Sequence, residues 1–196
     1  MLLRPHCRTL FFLFLLTTAV DMLPVAAGAA VRIPTSEVSQ EVVARMTPAL
    51  RQAMREKALE LGAPIFIRIF KESSQLEVRV LRGNQFVLFK TYSICDYSGD
   101  LGPKQREGDK QSPEGFYRVG PAQLNPKSNF HLAFNLGYPN EFDMLHNRTG
   151  GSLMVHGRCS SVGCFAITDA AETALLAEIK ALHAEDVANR PPQPAP

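Results

Sequence analysis

The chain has almost no surplus charge of either sign. Its 196 residues carry 21 Lys and Arg against 19 Asp and Glu, a net charge of +2. The basic residues are scattered rather than clustered, so nothing calls for nucleic acid as a partner. Cysteine is scarce: Cys7, Cys95, Cys159 and Cys164 are the full set. Cys7 sits in a leader expected to be removed, which leaves three. Three cannot staple a small disulfide-built fold, and an odd number in an oxidising compartment leaves at least one thiol outside any intramolecular disulfide. Long apolar runs are missing as well. The longest candidate, Leu10 to Leu16, extends only weakly to Val20 and meets Asp21. Spanning a bilayer takes ~20 apolar residues, so no membrane partner is expected for the mature form.

What stands around that short run has an order of its own. Arg4 and Arg8 precede it, and the small residues from Val25 to Ala30 follow it. Basic, then apolar, then small reads as a secretory signal peptide over residues 1–30, with cleavage after Ala27, Ala29 or Ala30. The remainder is one exported domain, long enough to bury a core.

Residues 31–62 read as a helical lead. Ser36 is a suitable N-cap. Val38, Val42, Met46, Leu50, Met54, Ala58 and Leu61 recur at steps of three or four, the spacing of one helix face. Pro48 interrupts that face, which predicts two short helices or one broken there, and Gly62 ends the pattern.

From Pro64 the period changes to two. Ile65 to Phe70 reads as a buried strand and Leu76 to Val80 alternates apolar with charged. Gly83-Asn84 supplies a tight hairpin turn into Phe86 to Tyr92. Cys95 to Pro113 reads as a long loop, often a functional feature in a compact domain. Its Gly99, Gly102 and Gly108 fit no P-loop or dinucleotide spacing, so no cofactor is expected. Further strands are expected over Phe116 to Val119, Phe130 to Asn135 and Ser152 to Val155, with a polar loop from Tyr138 to Thr149. Asp169 to Glu172 has capping-box spacing and predicts a helix to about His183, with Leu175, Leu176, Ile179 and Leu182 on its buried face. Residues 184–196 form a proline-rich tail, expected to be disordered. The class is α+β, mainly β.

The chemistry concentrates between Met154 and Cys164, which hold His156, Gly157, Arg158, Cys159, Ser160, Ser161 and Gly163. Thiolate is the reactive form of cysteine, and a neighbouring imidazole is the commonest way to generate it near neutral pH. Eight positions separate His156 from Cys164, enough for a tight loop to bring ring and sulfur together. Three readings follow from the residues alone: Cys164 as nucleophile with His156 as base, a Cys159–Cys164 disulfide, or zinc held by His156, Cys159 and Cys164 with Cys95 or His146. Zinc knuckles place cysteines two to four apart in paired sets, which this spacing does not match, so no metal is expected.

Val155-His156-Gly157 followed by Ser161-Val162-Gly163-Cys164 resembles the active-site signature of the L,D-transpeptidases with a YkuD-type catalytic domain. The likeness is greatest to the YafK-like branch. It rests also on Leu101 to Lys104, Gly108-Asp109, Ser112 to Tyr117, Leu124 to Pro126, Phe130 to Asn135 and Met154 to Asp169, within a catalytic domain over residues 63–183. The sequence departs from the broader family at Val162, where a histidine is usual, and in a shorter insert between base and cysteine. The resemblance implies a YkuD-type mixed β-sandwich and a periplasmic enzyme acting on diaminopimelate-containing peptidoglycan stem peptides. Cys164 would form a thioester, with His156 moving its proton. Gly163 would help form the oxyanion hole and Ser161 would support the loop. Apart from the resemblance, Arg158 and His131 are candidate substrate contacts, although a lone histidine on a strand such as His131 is more often a structural residue than a ligand. Attack by an amine would give a cross-link; attack by water would cut one, or release a protein tethered to the wall. A peptidoglycan-binding module with structural thiols is the non-catalytic alternative.

Overall fold

A computed structural model of the chain describes residues 33–189. The signal peptide expected over residues 1–30, residues 190–196 of the expected tail, and the side chain of Leu182 lie outside the described part.

The elements follow in the order α1 (Glu37–Glu56), β1 (Ile65–Phe70), β2 (Gln75–Arg82), β3 (Gln85–Tyr97), β4 (Leu124–Asn125), β5 (Ala133–Asn135), α2 (Glu141–Leu145), β6 (Met154–His156), β7 (Phe165–Ile167) and α3 (Asp169–Asn189). The strands form one mixed sheet ordered β1-β2-β3-β7-β6-β5-β4. All neighbours are antiparallel except β6 and β7, which run parallel. The expected mainly β, α+β class is what forms. Among the described residues no helix is long and apolar enough to cross a membrane.

Strand β3 links the two halves of the sheet. It pairs with β2 as far as Ser93 and with β7 from Ile94 onward. It therefore runs five residues beyond the expected end at Tyr92 and takes in Cys95, which the sequence had placed in a loop. Tyr92 and Ile94 are buried while Ser93 and Cys95 are exposed, so the two-residue alternation simply continues. The hairpin turn falls at Gly83-Asn84 as expected, closed by Arg82 opposite Gln85.

Other expectations shift. Phe116 to Val119 forms no strand. Its backbone has no ladder, and side chains hold the segment instead: Asn140 Nδ2 donates to the Phe116 carbonyl at 2.9 Å and Tyr117 Oη to Asp143 Oδ2 at 3.1 Å. The strand expected from Phe130 begins only at Ala133, because His131 turns the chain at φ +71°. The 138–149 loop contains α2, capped by the Asn140 side chain.

Helix α1 is one helix with Pro48 inside it. Val42, Leu50 and Met54 anchor it in the core on both sides of the proline, which outweighs the backbone bond that proline removes. Ser36 caps it as expected, in a reciprocal bond pair with Ser39. It ends at Glu56, short of Gly62. Helix α3 runs past His183 to Asn189. Its cap is Thr168 rather than Asp169: Thr168 Oγ1 accepts from the Ala171 N–H at 3.2 Å. The capping-box partner fails too, since Glu172 is fully buried with neither carboxylate oxygen partnered.

Cross-strand rows decide which side chains meet. Phe134, Val155 and Phe165 form one row across β5, β6 and β7. With Ile167 they join Leu175, Leu176 and Ile179 of α3 in the core. Side chains alternate faces along a strand, so the next row, Ala133, His156, Ala166 and Asp96, lies on the opposite face.

Candidate active site

His156 ends β6 with two alanines as its row neighbours. Small residues on either side leave room for an imidazole against the sheet. The ring is buried, 4% exposed, and Phe130 packs on it with centroids 4.7 Å apart. His156 Nδ1 lies 2.6 Å from the Gly157 carbonyl oxygen. A carbonyl only accepts, so Nδ1 carries the proton and Nε2 holds the lone pair. Gly157 permits this geometry because the space beside it is full. A Cβ there would meet Asp169 Oδ1 at 2.6 Å and the Phe130 carbonyl at 3.0 Å.

Cys164 immediately precedes β7. The register Val155 to Phe165 places it beside Met154, and His156 beside Ala166. Cys164 therefore stands two residues along β6 from His156, one position before the strand in which alternation fixes a face. The sulfur accepts the Met154 N–H at 3.4 Å and its thiol points at the Ser152 carbonyl, 3.9 Å away, both at the start of β6 rather than at its His156 end. It is a free thiol. Burial pushes the Cys164 thiol up, and the Met154 N–H opposes that only partly. The resting sulfur is S–H rather than a standing thiolate, so a base must take its proton as it attacks.

Cys95 and Cys159 form a disulfide across 64 positions. This overturns the Cys159–Cys164 disulfide, and it removes Cys159 from the zinc reading, since a bridged sulfur is no thiolate ligand. His146 is also engaged elsewhere, with Nδ1 2.8 Å from the Phe142 carbonyl.

The loop from Arg158 to Gly163 hangs from the end of β3 at three points. The disulfide joins Cys159 to Cys95. The Ser161 N–H donates to Asp96 Oδ2 at 2.6 Å and the Gly163 N–H to Ser98 Oγ at 2.5 Å. The Cys164 carbonyl then accepts two hydroxyls, Ser161 Oγ at 2.8 Å and the fully buried Ser112 Oγ at 3.0 Å. Arg158 and Cys159 both adopt positive φ, +67° and +36°, which costs roughly 1–2 kcal/mol for each non-glycine residue. The strap of bonds holds the turn in spite of that cost.

The expected site residues thus divide. Ser161 Oγ bonds the Cys164 carbonyl within the loop, while His156 sits at the far end of β6 with the Gly157 carbonyl and Phe130 as its partners. Gly163 is adjacent, but Ser98 already takes its N–H, so that amide is not an open oxyanion donor in this conformation. Arg158 is exposed and its backbone N–H donates to Asp169 Oδ1 at 2.7 Å. His131 Nε2 bonds Thr173 Oγ1 of α3 at 2.7 Å, which ties it to the helix rather than to the thiol. Asp96, Ser98 and Ser112 were not singled out from the sequence. The only available signal was that Ser112 lies within the matched Ser112 to Tyr117 motif.

A groove of about 950 Å³ opens elsewhere, between β1 and residues 113–119, with Phe134, Phe165 and Ile179 among its walls. Phe134 and Phe165 belong to the core-facing row, so the groove lies on the other face of the sheet from His156.

This arrangement, a buried imidazole and a free thiol on adjacent strands, is accompanied by sequence similarity to the L,D-transpeptidases. No protein-family model matches the chain. Over 109 residues, 56% of its length, the chain is 50% identical to the Escherichia coli (strain K12) protein named "Putative L,D-transpeptidase YafK", and the O157:H7 protein of that name matches equally. The resemblance to this branch is borne out. The match covers 44% of the relative, so the chain spans less than half the length of the curated relatives it matches. Among solved structures, the helical cell shape determining protein Pgp2 from Campylobacter jejuni is 21% identical with TM-score 0.47, over 72% of this chain and 52% of that one. Bdellovibrio bacteriovorus Bd1075 is 26% identical with TM-score 0.43, over 58% and 42%.

Proposed function

We propose that the chain is an exported cysteine acyltransferase of the L,D-transpeptidase type, acting on peptidoglycan stem peptides through a Cys164 thioester. What supports this reading is a free Cys164 thiol at the head of β7 beside the strand that ends in a buried His156, whose Nδ1 faces the Gly157 carbonyl.

His156 Nε2 takes the Cys164 proton as the sulfur attacks the carbonyl at the L-centre of a diaminopimelate residue. The S–C bond forms and negative charge gathers on the carbonyl oxygen. Aimed N–H donors typically stabilise such an oxygen by ~3–4 kcal/mol. The Cys164 N–H takes that role, and the Gly163 N–H joins it when the substrate oxygen displaces Ser98 Oγ. The C–N bond then breaks, and His156 returns its proton to the leaving amine. An acceptor amine attacks the thioester to give a cross-link, or water attacks to hydrolyse it; His156 receives the nucleophile's proton, the S–C bond breaks, and the Cys164 sulfur leaves and takes that proton back. The catalytic domain in this reading is residues 63–183, and helix α1 of the lead packs into its core through Val42, Leu50 and Met54. The leader over 1–30 and a disulfide that needs an oxidising compartment both fit a periplasmic location. Arg158, exposed at the start of the loop, is the candidate contact for an acidic group of the stem peptide.

The test is incubation of purified protein with muropeptides and mass analysis of the products. Wild type is expected to yield cross-linked or trimmed species, and Cys164→Ala none. Equal processing by both proteins would refute the reading.

A further inference from the structure

The disulfide sits where it controls the loop that carries the proposed nucleophile. Cys159 opens that loop, and Cys95 lies near the end of β3, beside the two residues that hold the loop's amides, Asp96 and Ser98. Both half-cystines are exposed, unlike a structural disulfide packed in a core. A bridge between two exposed residues is one that a thiolate in solution can approach, and exposed disulfides are the labile ones. The disulfide also anchors Cys159, the second of two consecutive left-handed residues after Arg158, so it helps hold a turn the backbone would otherwise leave. The hydrophobic core lies on the opposite face, in the row Phe134, Val155 and Phe165, and contains neither sulfur.

We propose that the Cys95–Cys159 disulfide is a reducible strap that positions Cys164, and that a dithiol reductant of the thioredoxin type switches the site off without unfolding the domain. The inference rests on the cysteine-acyltransferase reading for its consequence, but not for its mechanics. A thiolate of the dithiol attacks Cys159 Sγ, the Cys95–Cys159 bond breaks, and Cys95 leaves as thiolate and takes a proton. The second thiol of the reductant then displaces Cys159 from the mixed disulfide. Two electrons and two protons pass to the protein, and the reductant closes to its own disulfide. Residues 158–163 relax from the positive-φ turn, and Cys164 loses its fixed place beside Met154. Cys95 and Cys159 are positioning residues; neither touches the substrate.

The test compares the full chain in oxidised form, the same protein reduced with dithiothreitol and desalted, and Cys95→Ser/Cys159→Ser. Three readouts are taken: hydrogen exchange at residues 158–163, iodoacetamide labelling of Cys164 located by peptide mass, and turnover of muropeptides. Far-UV circular dichroism is expected to stay unchanged. Exchange at 158–163 is expected to rise about tenfold on loss of the strap. Cys164 labelling is expected to become faster while turnover falls by roughly 100-fold. The opposite signs matter, because loss of fold alone would show in the dichroism and in exchange across the whole sheet. Unchanged exchange and labelling in the reduced protein overturn the inference, whatever the variant does. Absence of turnover in the oxidised protein overturns the acyltransferase reading alone, since exchange and labelling still decide whether the strap holds the loop.

Discussion

Ser98 Oγ accepts the Gly163 N–H at 2.5 Å and donates to the Lys110 carbonyl at 2.6 Å. One hydroxyl thus joins the strand that leaves the sheet to the residue that precedes the proposed nucleophile. The Ser98 N–H in turn donates to Ser112 Oγ at 3.2 Å, and that hydroxyl donates to the Cys164 carbonyl. The two serines form a continuous polar path to the backbone of Cys164.

Ser98→Ala removes both of these hydrogen bonds and is expected to lower stability by about 2 kcal/mol, at roughly 1 kcal/mol net for each. Turnover is expected to fall about tenfold as the loop loses register. Urea denaturation and muropeptide kinetics read the two effects separately.

Gly157→Ala is expected to disturb the site more than its size suggests. Its Cβ would meet a carboxylate oxygen and the Phe130 backbone carbonyl, and the backbone atom cannot rotate away. Overpacking of this kind costs about 1–3 kcal/mol. Thermal unfolding is expected to register that loss.

Removing the disulfide is expected to cost stability even if the inference about Cys164 positioning fails. Closing a loop of 64 positions restricts the unfolded chain by about 4 kcal/mol in the entropy model. Chemical denaturation of Cys95→Ser/Cys159→Ser against the oxidised protein measures this directly.

Glu172 gives the chain a pH-dependent weakness. Burial is the main reason its carboxyl sits well above the ordinary value, with the Asp169 charge adding to it. The folded state therefore prefers the protonated form, while the unfolded chain ionises at the usual carboxylate pKa of about 4.3. Stability is complete below that unfolded value and is lost as pH rises towards the folded one. Glu178 contributes in the same direction, raised by burial and moderated by its bond to Tyr92 and by Lys90. Glu172→Gln is expected to raise the melting temperature by a few degrees at pH 8 and to leave it unchanged at pH 4.

Much of this architecture was legible in residue order because its causes are local. The alternation in Leu76 to Val80, the turn at Gly83-Asn84 and the spacing of Leu175, Leu176 and Ile179 each specify a face within a few residues. The proposal for His156 and Cys164 has a similar local basis: few residue types can move a proton or form a thioester, and both stand close together in the chain. The supports of the site were not legible. Asp96, Ser98 and Ser112 act on residues dozens of positions away, through bonds that exist only once β3 pairs with β7. The Cys95–Cys159 pairing has the same origin, since spacing alone equally allowed Cys159–Cys164. Pro48 misled because its local rule is real, yet Val42, Leu50 and Met54 supply enough buried contact to carry α1 through it.

The most direct measurement is the mass of Cys164 itself. The oxidised protein is to be mixed with a diaminopimelate-containing muropeptide, quenched in acid within the first turnovers, digested and mapped. An acyl adduct on the Cys164 peptide, absent or strongly reduced in His156→Ala, is the result this account requires. Muropeptide conversion with no adduct on Cys164, and at an undiminished rate in Cys164→Ala, would contradict it.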